Sequence, residues 1–192
     1  MTGPRRLSQV IAEGDGISVL VEVRDVAAAR AAEEQGAEGL VLRAPVGGVR
    51  EGSGLPLLLY PAVSGESDDE VDAVVLVAAD GQEVLSRRFD EASQLGVECV
   101  VRVRDDEDVE RVLESVDPEI FLLAADEAVD GQEQLERLLE LLPDIPAGKL
   151  AIAELPGATP YEVDELERAG VDAVLVTAAD VASLVGEPPP DV

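Results

Sequence analysis

Eight short runs rich in Val, Leu, Ile and Ala recur along this chain, at 17–24, 39–43, 57–60, 73–79, 98–104, 119–124, 150–154 and 173–177. Runs of this length without sustained polar alternation are the pattern of strands buried on both faces. Amphipathic helices fall between several of them. Over 82–95, Val84, Leu85, Phe89, Ala92 and Leu95 share a face. Val109, Val112, Leu113 and Val116 do so in the next interval, then Leu135, Leu138, Leu139 and Leu142, then Val163 and Leu166 over 160–169. Gly36, Gly96 and Gly170 stand where a glycine ends a helix before a strand. Strand and helix in alternation imply a parallel sheet, and eight such units imply closure into a (βα)8 TIM barrel.

An internal repeat points the same way. V-E-V-R-D at 21–25 matches V-R-V-R-D at 101–105, and V-D-A-V-V-L-V-A-A-D at 71–80 matches V-D-A-V-L-V-T-A-A-D at 171–180. Strand 1 thus corresponds to strand 5 and strand 4 to strand 8, as in two half-barrels of four units. A lead segment at 1–16, one barrel domain at 17–186 and a Pro-rich tail at 187–192 follow.

The barrel reads as minimal. Residues 44–55 are Gly-rich without a helical period, 62–71 has room for about one turn, and the segment from Val181 is stubby. Helices after strands 2, 3 and 8 are therefore expected to be short or missing. The outward faces of strands 2 to 4, including Leu57 and Leu59, should then lack cover and favour a homo-oligomer contact.

Composition narrows the chemistry. Across 192 residues there are 42 acidic and 14 basic side chains, a net charge of −28, and no histidine. No imidazole base or His-containing metal site is possible. Cys99 is the lone cysteine, so no intramolecular disulfide or thiolate zinc cluster can form. The negative field disfavours nucleic acid. Apolar runs fall short of the ~18 residues of a membrane span. Residues 1–14 hold two arginines but no apolar h-region, unlike a signal peptide. A cytoplasmic protein without membrane or nucleic-acid partners is expected. A single lysine, Lys149, and the acid excess fit salt adaptation or a GC-rich codon bias equally.

Activity in such a barrel sits at the C-terminal ends of the strands. Alternate residues of the odd strands point inward there: Glu22 and Arg24, Tyr60, Arg102 and Arg104, and Glu154. Glu22, Tyr60, Arg102 and Glu154 fall at equivalent heights and fit one four-membered layer. In one reading this is a polar pocket, with Arg24 and Arg102 holding an anion while Glu22, Glu154 and Tyr60 handle protons. In another, Glu22 and Glu154 pair with Arg24 and Arg102 as a self-satisfied plug. In a third, the inward parity fails on some strand.

Asp25, Asp80, Asp105, Asp126 and Asp180 close their strands. They read better as helix N-caps than as Mg²⁺ or Ca²⁺ ligands. Asp80-Gly-Gln-Glu83, Asp130-Gly-Gln-Glu133 and Thr159-Pro-Tyr-Glu162 have the form of capping boxes. No metal or cofactor is expected. The Leu155-Pro-Gly-Ala-Thr159 turn offers a phosphate the backbone around Gly157, or serves as an ordinary turn. Cys99, at the start of strand 5, reads as a buried small hydrophobe.

Residues 71–79, 91–109 and 154–177, and more faintly 21–48 and 55–62, resemble the indole-3-glycerol-phosphate synthase family. The resemblance implies a (βα)8 barrel and a lyase that closes and decarboxylates a phosphorylated carboxyphenylamino-deoxyribulose. The family uses E-x-K at strand 1, K-D-F at strand 3, E-V-H at strand 5, asparagine at strand 6, E-S-G at strand 7 and a glycine phosphate loop at strand 8. This chain keeps Glu22 and Glu154 but has Arg24 for the strand-1 lysine. It has Tyr60 for the strand-3 lysine, Arg102 for the strand-5 glutamate and Ala124-Ala125 for the asparagine. Thr177-Ala-Ala-Asp replaces the glycine loop, and the Ser- and Pro-rich strand-1 loop and extra N-terminal helix that cover the family's active site are expected to be missing.

Arginine holds its proton and tyrosine titrates near 10, so neither replaces a lysine acid readily. A barrel of this ancestry that has lost the parent reaction and binds a small anionic or phosphorylated ligand is expected. A divergent lyase or isomerase and a non-catalytic oligomeric scaffold are the alternatives.

Overall fold

The computed structural model describes residues 7–61, 71–125, 131–177 and 181–185. Eight parallel strands close in chain order: β1 Ser18–Val23, β2 Gly39–Leu42, β3 Leu57–Leu59, β4 Ala73–Val77, β5 Glu98–Val103, β6 Ile120–Leu123, β7 Leu150–Glu154 and β8 Ala173–Thr177. Helices α1 Leu7–Glu13, α2 Val26–Glu34, α3 Val49–Gly52, α4 Gln82–Leu95, α5 Asp106–Ser115, α6 Gly131–Leu141 and α7 Pro160–Ala169 accompany them. The (βα)8 barrel expected from the strand pattern is therefore present, and every expected strand is found.

Register explains how the interior is built. Leu20 pairs with Gly39, Leu58 with Ala73, Val100 with Ile120, and Ile152 with Ala173. Each strand is thus offset by one residue in height, which staggers the inward side chains into layers of four from alternate strands. Leu20, Leu58, Val100 and Ile152 form one apolar layer, and Val41, Val75, Leu122 and Leu175 the next. The outward residues, among them Val21, Leu76, Val101 and Val174, pack under the helices in a second core cluster. Short strands rich in Val and Leu suit this arrangement because both faces leave water.

The floor is closed by an element the strand pattern did not announce. Leu7 and Ile11 of α1 are buried and belong to the interior cluster. They fit because the lowest layer is small there, with Gly39, Ala73 and Ala173. A Cβ at Gly39 would lie 2.7 Å from Leu20 Cδ2 and 3.5 Å from Leu7 Cδ1. Ser8 anchors the helix by donating its backbone N–H (3.3 Å) and its hydroxyl to Glu98 at the start of β5. Helix α1 therefore contributes to the barrel core, at the end opposite the mouth.

Helix boundaries follow local chemistry. Asp25 and Asp105 cap α2 and α5, accepting from the N–H of Ala28 and of Asp108 at 2.8 Å each. The Thr159–Glu162 capping box of α7 is complete. The box expected at Asp80 does not form. Residues 78–80 make a 3₁₀ turn, Gly81 (φ 94°) takes the cap position, and Asp80 pairs with Arg88 at 3.4 Å. Asp126, Asp130 and Asp180 lie outside the described residues. Gly96 and Gly170 end α4 and α7 at φ 75° and 97°, a conformation that a side chain would strain.

Two expectations about packing are corrected, and the short connections after strands 2 and 8 are as expected. Leu95 and Leu113, on the apolar helix faces expected from the sequence, are exposed, because each sits at the edge of its stripe rather than at its centre. The connection after strand 2 holds the single turn α3, and a 3₁₀ turn (Val181–Ser183) follows β8. The connection at 62–70 lies outside the described residues. Leu57 and Leu59, expected to be uncovered, are only 1% and 2% exposed. The apolar face that motivated self-association at strands 2 to 4 is thus buried within one chain.

Candidate functional site

At the C-terminal mouth the next odd-strand layer is polar. One step above the apolar layers stand Glu22, Tyr60, Arg102 and Glu154, at the common height their register dictates. Inward parity holds on all four strands. Glu154 is the centre of the layer. Its Oε2 accepts from Arg102 Nε at 3.3 Å and lies 3.4 Å from the Tyr60 hydroxyl, a long hydrogen bond.

A fifth residue completes the cluster, and the sequence reading missed it. Arg43 follows β2 and shares the inward parity of Val41, one layer higher. Its Nε donates to Glu22 Oε2 and its Nη2 to Glu154 Oε1, both at 3.0 Å. The guanidinium also lies 4.0 Å from the centroid of the Tyr60 ring, a cation–π contact. It lies beyond an even strand, whereas the expected layer comes from the odd strands. The signal was an arginine two residues beyond an inward valine.

Two guanidinium groups thus face two carboxylates, and the cluster is formally neutral. Burial would lower the Arg43 pKa, but its hydrogen bonds to Glu154 and Glu22 outweigh that and hold it above the ordinary value. Burial and then the Glu154 charge raise the Tyr60 pKa, with Arg102 and Arg43 opposing. The phenol is therefore a hydrogen-bond donor at neutral pH rather than a base. Glu22, Glu154 and Arg102 side chains are 11%, 12% and 16% exposed, against 38% for Arg43, so Arg43 forms the outer lid of the layer.

The other expected site residues stand apart. Arg24 occupies the inward parity of β1 above Glu22, but it is exposed and has no ion pair with a described residue. The ion pair with Glu22 that the plug reading expects of Arg24 is made by Arg43. Arg104 turns to α5, where its N–H and Nε meet Asp108 Oδ2 at 3.1 and 3.5 Å. Asp108 is buried and also pairs with Arg111 at 2.5 Å. Gly157 lies exposed in the turn after β7, with open space where a side chain would go. Cys99 is buried under α4, its Sγ 4.0 Å from the Phe89 carbonyl oxygen.

This closed parallel barrel with a charged C-terminal mouth defines the chain as a (βα)8 barrel. No family model matches it. Over 106 residues, 55% of its length, it is 29% identical to the indole-3-glycerol phosphate synthase of Geobacillus sp. (strain WCH70). The chain's match spans 41% of that enzyme, about two fifths. In fold it is similar to the N-acetylmannosamine-6-phosphate 2-epimerase of Clostridium perfringens, with a TM-score of 0.69, 13% identity, and coverage of 94% of this chain and 93% of that one. It is also similar to the thiamine phosphate pyrophosphorylase of Pyrococcus furiosus, with a TM-score of 0.66, 16% identity, and coverage of 88% and 93%. No helix among the described residues is long and apolar enough to cross a membrane.

Proposed function

We propose that this barrel binds a small phosphorylated or carboxylated metabolite at its C-terminal mouth and does not carry out the indole-3-glycerol-phosphate synthase reaction. The observation that carries this reading is the Arg43 guanidinium bridging Glu22 and Glu154 at 3.0 Å each. The two carboxylates best placed to move protons are held by a group that does not release one. Tyr60, which stands where the synthase family has a lysine, has its pKa raised further. Efficient acid–base catalysis needs a group titrating near the working pH, and neither the phenol nor the guanidinium groups do.

Anion binding has separate support. Arg24 stands exposed at the rim, and Arg102 engages Glu154 through Nε alone among the described residues. The relative with sequence similarity and both solved structures are named for phosphate-bearing compounds. The divergent lyase or isomerase reading would require Arg43 to leave Glu22 and Glu154 before either could act.

Thermal unfolding with inorganic phosphate, glycerol 3-phosphate and citrate tests binding. A ligand at ten times its Kd should raise Tm by about 3–5 °C. No shift at millimolar concentration with any of the three, nor with O-phosphoethanolamine, would overturn the binding. Rescue of a tryptophan auxotroph lacking the synthase would overturn the loss of the parent reaction.

A further inference from the structure

We propose that the mouth selects a small zwitterion, a molecule carrying both a protonated amine and a phosphate or carboxylate, and that Arg43 holds the amine's seat when the ligand is absent. This deepens the reading of the mouth as an anion site and rests on it.

The argument is one of charge exchange. Glu22 and Glu154 are each only about one-tenth exposed, and one guanidinium satisfies both, with Nε toward the first and Nη2 toward the second. A plain anion that drew Arg43 to itself would leave the largely buried Glu22 without its counter-charge and Glu154 with Arg102 alone, which opposes binding. A plain cation fares no better. It must displace a guanidinium tethered beside the site, which competes at the high effective concentration of an intramolecular group.

A zwitterion avoids both penalties. Its ammonium, with three donors, replaces the Arg43 fork between Glu22 and Glu154. Its anionic end meets the guanidinium so released, together with Arg102, so every charge keeps a partner. The geometry allows Arg43 to move. It is the most exposed member of the layer, at 38%, and it rests on the Tyr60 ring 4.0 Å away rather than inside the apolar core.

The test is calorimetric titration of the full chain with O-phosphoethanolamine, inorganic phosphate and ethanolamine. The zwitterion should bind at least about tenfold more tightly than either fragment. If phosphate binds as tightly as O-phosphoethanolamine, the zwitterion inference is overturned and the anion site stands. If none of the three binds, both readings fall. The Arg43→Ala variant gives a second readout, since it empties the seat between the carboxylates. Methylguanidinium at millimolar concentration should raise the Tm of Arg43→Ala and leave the parent chain unchanged. A folded Arg43→Ala that ignores methylguanidinium would show that the two carboxylates are not a cation seat. If that variant does not fold, the titration of the parent chain decides alone.

Discussion

Asp72 and Asp172 make the same hydrogen bonds in the two halves of the barrel. Oδ2 of each accepts a backbone N–H of the preceding strand at 2.8 Å, from Leu57 and Ala151 respectively. Each donates its own N–H to the carbonyl of that same residue at 2.9 Å. Each then accepts, at its carbonyl, the N–H of a residue entering the next strand, Glu98 or Ser18, also at 2.9 Å. The V-D-A-V repeat is thus a recurring structural joint, in which an aspartate ties three successive strands at the floor. Asp25 and Asp105 repeat in the same way as helix caps at the mouth.

Removing either joint should cost stability. Asp172→Ala leaves the N–H of the buried Ala151 without its carboxylate acceptor, a loss of about 1–3 kcal/mol. Asp72→Ala should cost more, because Asp72 also forms an ion pair with Arg50. Urea unfolding of both variants checks the order, and equal midpoints would contradict it.

The helix under the floor should behave as core. Leu7→Ala removes a side chain that is 1% exposed among Leu20 and its neighbours, and should cost about 2–4 kcal/mol. Gln9→Ala on the exposed side of the same helix should stay within about 0.5 kcal/mol. Denaturant midpoints separate the two.

The two arginines of the mouth should differ. Arg43→Ala breaks two ion pairs to largely buried carboxylates. A buried pair costs about 3–5 kcal/mol to break, but Arg43 is partly exposed, so about 1–2 kcal/mol is expected. Arg24→Ala should change stability by no more than about 0.5 kcal/mol. Thermal unfolding of the two variants side by side gives the answer.

Cys99 gives a pH signature. Burial, and secondarily the Glu98 charge, push its thiol from 9.0 up to about 11. The folded state therefore disfavours the thiolate. This contributes no penalty below pH 9, where the thiol is protonated in both states, and stability falls as pH rises from 9 to about 11. The parent chain should lose stability across that window relative to Cys99→Ala. Ellman's reagent at pH 8 should react slowly with the native chain and rapidly in denaturant.

Strand positions were legible because a period of two and a run of aliphatic residues are local properties. The same periodicity placed Glu22, Tyr60, Arg102 and Glu154 in one layer, since a fixed offset per strand converts sequence parity into height. Capping was legible where side chain and backbone lie three residues apart, as at Asp25, Asp105 and Thr159. It failed at Asp80, where a 3₁₀ turn moved the cap to Gly81.

By itself, the sequence determined the eight strands, their order, the helix boundaries at Asp25, Asp105, Thr159, Gly96 and Gly170, and the inward face of each odd strand. These depend on neighbours a few residues away and on the stagger common to eight-stranded barrels. Tertiary structure alone decided that Leu7 and Ile11 fill the floor, that Leu57 and Leu59 are covered, and that Arg43 rather than Arg24 takes Glu22. Closure of the barrel brings together groups far apart in the chain, and which cation reaches a carboxylate depends on that closure.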